Sequence, residues 1–243
     1  MPDRFDIATE SGASAISTRS RVANNFATMH MQSLTNLAKF MLPAGIWNDT
    51  TSSGIENDRN IYLTFDDGPN PATTPGLMEL FEEEGVKATF FVIGNQVEKH
   101  EDLLKLVSDS GHSIGNHTYS HPFLPALSQR KMEVEILSTN QRIKDITGRA
   151  PKLFRPPFGI ADAKAQRLLK EQNMDIVYWS AFSEDWRKIG VESVVSRLAK
   201  HAMPGAIMIL HELEPTGKQT IAAARTLIQQ LKKQNYTFKA LAT

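Results

Sequence analysis

The 243-residue chain contains no cysteine. Disulfide frameworks and thiolate metal sites are therefore excluded, and any metal must be held by His, Asp, Glu or backbone oxygens. An excess of charge of one sign is also missing, because 27 Lys plus Arg balance 27 Asp plus Glu for a formal net charge of +0. Such a balance offers no global electrostatic footprint for nucleic acid or an anionic membrane, and no nucleic-acid partner is expected. No apolar run approaches the roughly 20 residues that cross a bilayer, so no integral membrane segment is expected either. The opening residues MPDRFDIATESGASAISTRS carry early acids and lack an apolar core, unlike a usual signal peptide. That favours a cytoplasmic location, with secretion or the cell envelope as the alternative. Nothing in the sequence specifies an oligomeric state.

What is present is an ordinary globular composition, with 41 % hydrophobic and 22 % charged residues. The length suits one large domain or a domain with an extension. Residues 1–59 read as an N-terminal extension: a Ser-, Thr-, Ala- and Asn-rich tail, a short amphipathic helix at 31–42, and a polar linker at 48–59. A folded domain is expected over 60–243. Within it, strand-like runs at 61–65, 88–93, 112–116, 152–155, 174–180, 206–210 and 237–241 alternate with helical patterns at 74–84, 98–109, 128–147, 162–172, 192–202 and 218–234. In 128–147, Met132, Val134, Ile136, Leu137, Ile143 and Ile146 are compatible with an amphipathic stripe, and Ser128 with its cap. The alternation predicts an α/β fold with a largely parallel sheet, either a barrel lacking one unit or a doubly wound sheet.

In such sheets, sites gather at the C-terminal ends of the strands. Here strand after strand ends in a residue with chemistry. IYLTF runs into Asp66 and Asp67, HSIGN into His117 and His121, and KLF into Arg155. MDIVYWS leads toward Asp185 and Trp186, and AIMIL ends in His211. His117 and His121 share a face if a helical turn follows their strand, and two imidazoles with a nearby carboxylate can hold a divalent cation with open positions. Two solvated loop histidines are the plainer alternative, and a His capping a buried strand is the plainer account of His211. His30, His100, His112 and His201 show no partner pattern.

TFDDGPN, NHTYSHP, RPPFG, EDW and ILHE occur in this order at suitable separations over about residues 60–241. Together they resemble the five signature motifs of the polysaccharide deacetylase family, carbohydrate esterase family four, whose domain includes nodulation-factor chitooligosaccharide deacetylases. The resemblance implies a distorted (β/α) barrel, usually of seven strands. It implies that Asp67, His117 and His121 bind one divalent metal, most often zinc, with cobalt, manganese or nickel as substitutes. It implies Asp66 as general base, Arg155 as its orienter, Asp185 as support for a catalytic acid at His211, and backbone around Phe158 as oxyanion holder. Pro156, Phe158 and Trp186 fall at the substrate side of these motifs. The implied reaction is removal of N-acetyl groups from amino sugars of a carbohydrate substrate, chitin oligosaccharide or peptidoglycan. Acetylxylan, small amides, or mere glycan binding by a weakened relative are the alternatives. A non-haem iron site of the same ligand set is a further alternative, although it leaves Asp66 and His211 without a task. The fourth motif commonly reads D-x-x-D-W, and Phe182 stands at its first acid.

Overall fold

The alternation of apolar residues along IYLTFD sets the architecture. In a strand, successive side chains face opposite sides of the sheet. The computed structural model describes residues 45–48 and 59–242; the predicted helix at 31–42 lies outside the described residues. Strand β1 (Asn60–Asp66) sends Ile61, Leu63 and Phe65 into the main core, together with Phe81, Phe90, Leu210 and Leu227. The opposite face carries Tyr62, which joins Phe91, Leu153, Val177 and Ile207 in a second, interior cluster. Thr64 and Asp66 follow Tyr62 on that interior face by the same parity.

The strands are β1, β2 (Thr89–Val92), β3 (Ser113–Asn116), β4 (Leu153–Phe154), β5 (Asp175–Ile176), β6 (Ala181–Phe182) and β7 (Ala206–His211). They run in the order β5-β4-β3-β2-β1-β7-β6, with every pairing parallel. Seven strands thus curl into a half-barrel. A short β8 (Thr237–Phe238) adds only to the start of β1. Helices α1 (Thr74–Glu84), α2 (Gly94–Lys99), α3 (Glu101–Asp109), α4 (Gln129–Thr147), α5 (Ala163–Glu171), α6 (Val191–Ala199) and α7 (Gly217–Lys232) fill the connections. Among the described residues no helix is long and apolar enough to cross a membrane.

Two details depart from the sequence expectation. Of the single strand expected at 174–180 only Asp175–Ile176 forms β5, and the next strand, β6, begins beyond it at Ala181, because the chain between them changes partners. Val177 N–H donates to Phe154 O, Tyr178 N–H to Ile46 O, and Ser180 N–H to Ile207 O. The segment therefore leaves one edge of the sheet and reaches the other, and residues 45–48 lie in the gap. Ile46 N–H returns a bond to Ile176 O at 2.7 Å, and Trp47 stacks on Tyr178 with ring centroids 4.2 Å apart. Helix α4 buries Met132, Ile136, Thr139 and Ile143, whereas Val134 and Leu137 are exposed at 61 % and 39 %. The buried set follows a strict 3.6-residue period, which Val134 and Leu137 break. Ser128 does cap this helix, accepting from Lys131 N–H, and Gly148 ends it at φ 75°.

Candidate active site

β1 and β7 are paired in register, Tyr62 with Ile207, Thr64 with Ile209 and Asp66 with His211. That register brings the C-terminal residues of two adjacent strands side by side on the interior face. Asp66 is 2 % exposed. Its Oδ1 accepts from Arg155 Nη1 at 2.7 Å, and its Oδ2 lies 3.7 Å from His117 Nε2. Burial pushes the Asp66 carboxyl upward from the usual range, opposed chiefly by Arg155 and then His211.

Arg155 is a fully buried cation, which is tolerable only because its donors are met. Nη1 also donates to Thr64 Oγ1 at 2.7 Å, Nε to Val177 O at 3.2 Å and Nη2 to Tyr178 O at 2.9 Å. The guanidinium stacks on Phe91, 4.1 Å from the ring centre. Pro156 and the 3₁₀ turn Pro157–Gly159 follow, and Phe158 takes the left-handed φ of 59° with 63 % of its surface exposed. Its ring meets the His121 ring edge-on at 4.8 Å.

Asp67 leaves strand geometry with φ 72°, so the alternation that turns Asp66 to the interior stops there. Its Oδ1 lies 3.5 Å from both His117 Nε2 and His121 Nε2. These three ligand atoms lie within 4.8 Å of one another. His117 Nδ1 is 2.6 Å from Arg155 O, and a carbonyl can only accept, so the ring proton sits on Nδ1 and Nε2 presents a lone pair. A carbonyl bond at the far nitrogen is the usual support of a ligating histidine. Burial holds the His117 imidazole neutral, pushing it down to about 3 despite the pull of Asp67. Asp67 Oδ1 is itself buried and has no hydrogen-bond partner. A buried carboxylate oxygen with no hydrogen-bond partner, facing two imidazole nitrogens, fits a divalent cation, so the residues present suit the group that the sequence resemblance implies.

The two histidines meet by a different route from the one expected. No helical turn follows β3. Thr118 (φ 68°) and His121 (φ 59°) instead bend the loop, and neighbours hold it open. Asn116 Oδ1 accepts from Thr118 N–H at 2.6 Å, while Glu135 on α4 accepts from Tyr119 N–H at 3.0 Å, Ser120 N–H at 2.8 Å and Ser120 Oγ at 2.7 Å. Neither Asn116 nor Glu135 carries a sequence signal for this task, since Glu135 looks like any polar helix position.

His211 and the buried Asp185 form a second pair, with the imidazole part-exposed. His211 Nδ1 lies 2.9 Å from Asp185 Oδ1, and its backbone N–H donates to Asp185 Oδ2 at 2.8 Å. Thr220 on α7 donates to Oδ2 at 3.1 Å, so the carboxylate is oriented at both oxygens. Burial alone would depress His211, but Asp185, through its charge and its hydrogen bond, together with Asp66 and Asp67 outweighs it, lifting the imidazole to about 9. Trp186 lies edge-on to His211 at 5.0 Å and stacks on Phe182 at 5.6 Å. Phe182 is 4 % exposed, so the position at the first acid of the fourth motif is a packing position beneath Trp186. One more acid lies here. Glu212 is 1 % exposed, and burial first, then Asp67 and Asp66, push its carboxyl up to about 8, against the Thr74 hydrogen bond.

The fold and this cluster define a class: an α/β half-barrel hydrolase with its polar centre at the C-terminal strand ends. The chain belongs to the polysaccharide deacetylase family, whose family model matches residues 53–177. It is 38 % identical over 184 residues to a peptidoglycan-N-acetylglucosamine deacetylase of Bacillus cereus, covering 75 % of this chain and 86 % of the relative. It is 35 % identical over 196 residues to a chitooligosaccharide deacetylase of Rhizobium leguminosarum bv. trifolii, covering 76 % and 91 %. Among solved structures, a peptidoglycan N-acetylglucosamine deacetylase in complex with a naphthyl-substituted N-hydroxybenzamide superposes with a TM-score of 0.73 at 33 % identity, covering 76 % of this chain and 87 % of that one. A family-four pseudoenzyme from Bacillus anthracis has the same fold at a TM-score of 0.71 and 28 % identity, covering 76 % and 64 %.

Proposed function

We propose that this chain hydrolyses N-acetyl groups of amino sugars in an oligo- or polysaccharide of the chitin-oligosaccharide or peptidoglycan type, releasing acetate and a free amine. One observation carries the reading. A base and an acid, each with its own orienting partner, stand on neighbouring strands beside a three-ligand cluster. The names of the relatives supply the substrate class.

Asp67, His117 and His121 would hold the cation, for which zinc suits the two-nitrogen, one-oxygen donor set, with cobalt, manganese or nickel as substitutes. When bound, it supplies Lewis-acid polarisation of the acetyl carbonyl and a water of lowered pKa. Asp66, raised by burial toward the working pH and held by Arg155, takes the proton from the attacking water. Pro156 and Pro157 carry no N–H, and Gly159 and Ile160 donate to Pro156 O and Pro157 O, which leaves the Phe158 N–H as the turn's donor for the developing oxyanion. His211 gives a proton to the leaving amine, a poor leaving group unless protonated. Its Nδ1 proton is engaged by Asp185, so Nε2 is the atom that donates. Phe158, against His121, and Trp186, against His211, are exposed at 63 % and 39 % and offer aromatic faces to a sugar ring.

The test is acetate release from N-acetylglucosamine oligomers, peptidoglycan, acetylxylan and small amides, with zinc, cobalt or no metal restored after chelation. Acetate from an N-acetylated glycan, dependent on added metal, is the expected result. No acetate from any N-acetylated glycan would overturn the reading in favour of glycan binding, and acetate from acetylxylan alone would replace the amide by an ester.

The acid role has a pH signature. His211 must be protonated to donate, so the rate falls as pH rises through about 9. Asp185→Asn removes the charge that raises His211, so the alkaline limb moves to lower pH and kcat at neutral pH drops. An alkaline limb that stays in place in Asp185→Asn would exclude this pair as the source.

A further inference from the structure

Glu212 follows the proposed acid His211 in the chain, yet none of the roles above uses it. Among the described residues no cation pairs with it, and its Oε2 is buried with no hydrogen-bond partner. A buried acid kept in that condition is costly unless its position serves something. Its neighbours show what it touches. Thr74, at the start of α1, donates its hydroxyl to Glu212 Oε1, and the same hydroxyl accepts from Asn70 N–H at 2.8 Å. Glu212 N–H donates to Asp66 O at 2.8 Å. The carboxyl end lies flat against the turn at Gly68, where an added Cβ would fall on the Glu212 Oε2 atom. From the other side, Ile93 N–H donates to Gly68 O at 2.9 Å, clamping the turn between β2 and Glu212.

We propose that Glu212 is a positioning residue, whose side chain forms the floor on which the Asp66–Asp67–Gly68 turn rests. This floor fixes where Asp67 leaves the strand, and so separates the directions of the two carboxylates. Gly68 has no left-handed φ to explain it. Its lack of a side chain is instead required by the space that Glu212 takes. The inference rests on the assignment of Asp67 to the metal, and zinc affinity reads it without reference to any substrate.

The experiment is a double-mutant cycle on the full chain, read by zinc Kd and by kcat and KM for acetate release. Gly68→Ala places a methyl on Glu212, and is expected to weaken zinc binding by at least about tenfold and to lower kcat. Glu212→Ala removes the floor and lowers kcat at least about tenfold with little change in KM, while Glu212→Gln, of the same shape and still able to accept from Thr74, restores most of that loss. In the double variant the alanine methyl enters the vacated space, so zinc affinity recovers relative to Gly68→Ala alone; coupling of this size is typical of residues in direct contact. If the two single effects simply multiply in the double variant, the floor does not exist. If Glu212→Ala lowers the melting temperature but leaves zinc Kd and kcat of the folded protein unchanged, Glu212 is only a structural residue and the proposal falls. If the wild type binds zinc and the cycle couples but no acetate is released from any substrate, the proposed reaction fails while this inference stands.

Discussion

Asp66→Asn is expected to lower kcat by about 10²–10⁴-fold, the range that a positioned general base contributes. The substitution is nearly isosteric, and the amide oxygen can still accept from Arg155 Nη1, now at 2.7 Å from the carboxylate. What is lost is the ability to take a proton from water. Zinc should remain bound, because Asp66 is not among the three ligating atoms and lies 3.7 Å from His117. Arg155 loses its one charged partner, and leaving a buried cation unpaired can cost about 3–5 kcal/mol. Its bonds to Thr64, Val177 O and Tyr178 O remain, so the loss of stability should fall below that range. Measured together, zinc content near one per chain, a folded melting transition and a collapsed kcat identify the base. A fully active Asp66→Asn enzyme would remove Asp66 from that role and the mechanism with it.

His117→Ala is expected to remove both metal and activity. It deletes one of the two nitrogens of the proposed ligand set, the one whose Nε2 lone pair is set by the bond from Nδ1–H to Arg155 O. Loss of a group that only holds a ligand in place costs about 10–100-fold in metal affinity, so loss of a ligand should exceed that. The readout is zinc per chain after dialysis and acetate release with and without excess zinc. The contrast with Asp66→Asn is the informative part, since one variant keeps zinc without turnover and the other keeps neither. Retention of stoichiometric, tight zinc by His117→Ala would dismiss the cluster as the metal site.

Much of the site was legible in the sequence, because sheet geometry makes strand ends predictable. Once IYLTF, HSIGN, KLF and AIMIL are placed as parallel strands, Asp66, His117, Arg155 and His211 must emerge at one edge. The five motifs in order then specify a family, and the chain's relatives bear that out. Expected and observed bounds of the strand cores agree where strands are long and buried, as in β1 and β7. They diverge at 174–180, where period and composition read as one strand. Hydrophobic pattern records burial but not the identity of a hydrogen-bonding partner, and this segment changes partner twice.

The strand and helix pattern by itself determined an α/β class with a largely parallel sheet and strand ends rich in polar residues, and the five motifs, by resemblance, implied the barrel, the candidate ligands Asp67, His117 and His121, and the candidate base and acid. Only the tertiary structure showed by what geometry the adjacent carboxylates divide. Asp66 follows strand parity toward Arg155, and Asp67 breaks it at φ 72° toward two histidines. It also decided that Glu135, 14 residues beyond His121, holds the histidine loop, and that Glu212 lies under Gly68. Those are contacts between residues that share no local pattern. They exist because the sheet register and helix packing bring distant segments within a bond length, and no single stretch of the chain encodes that distance.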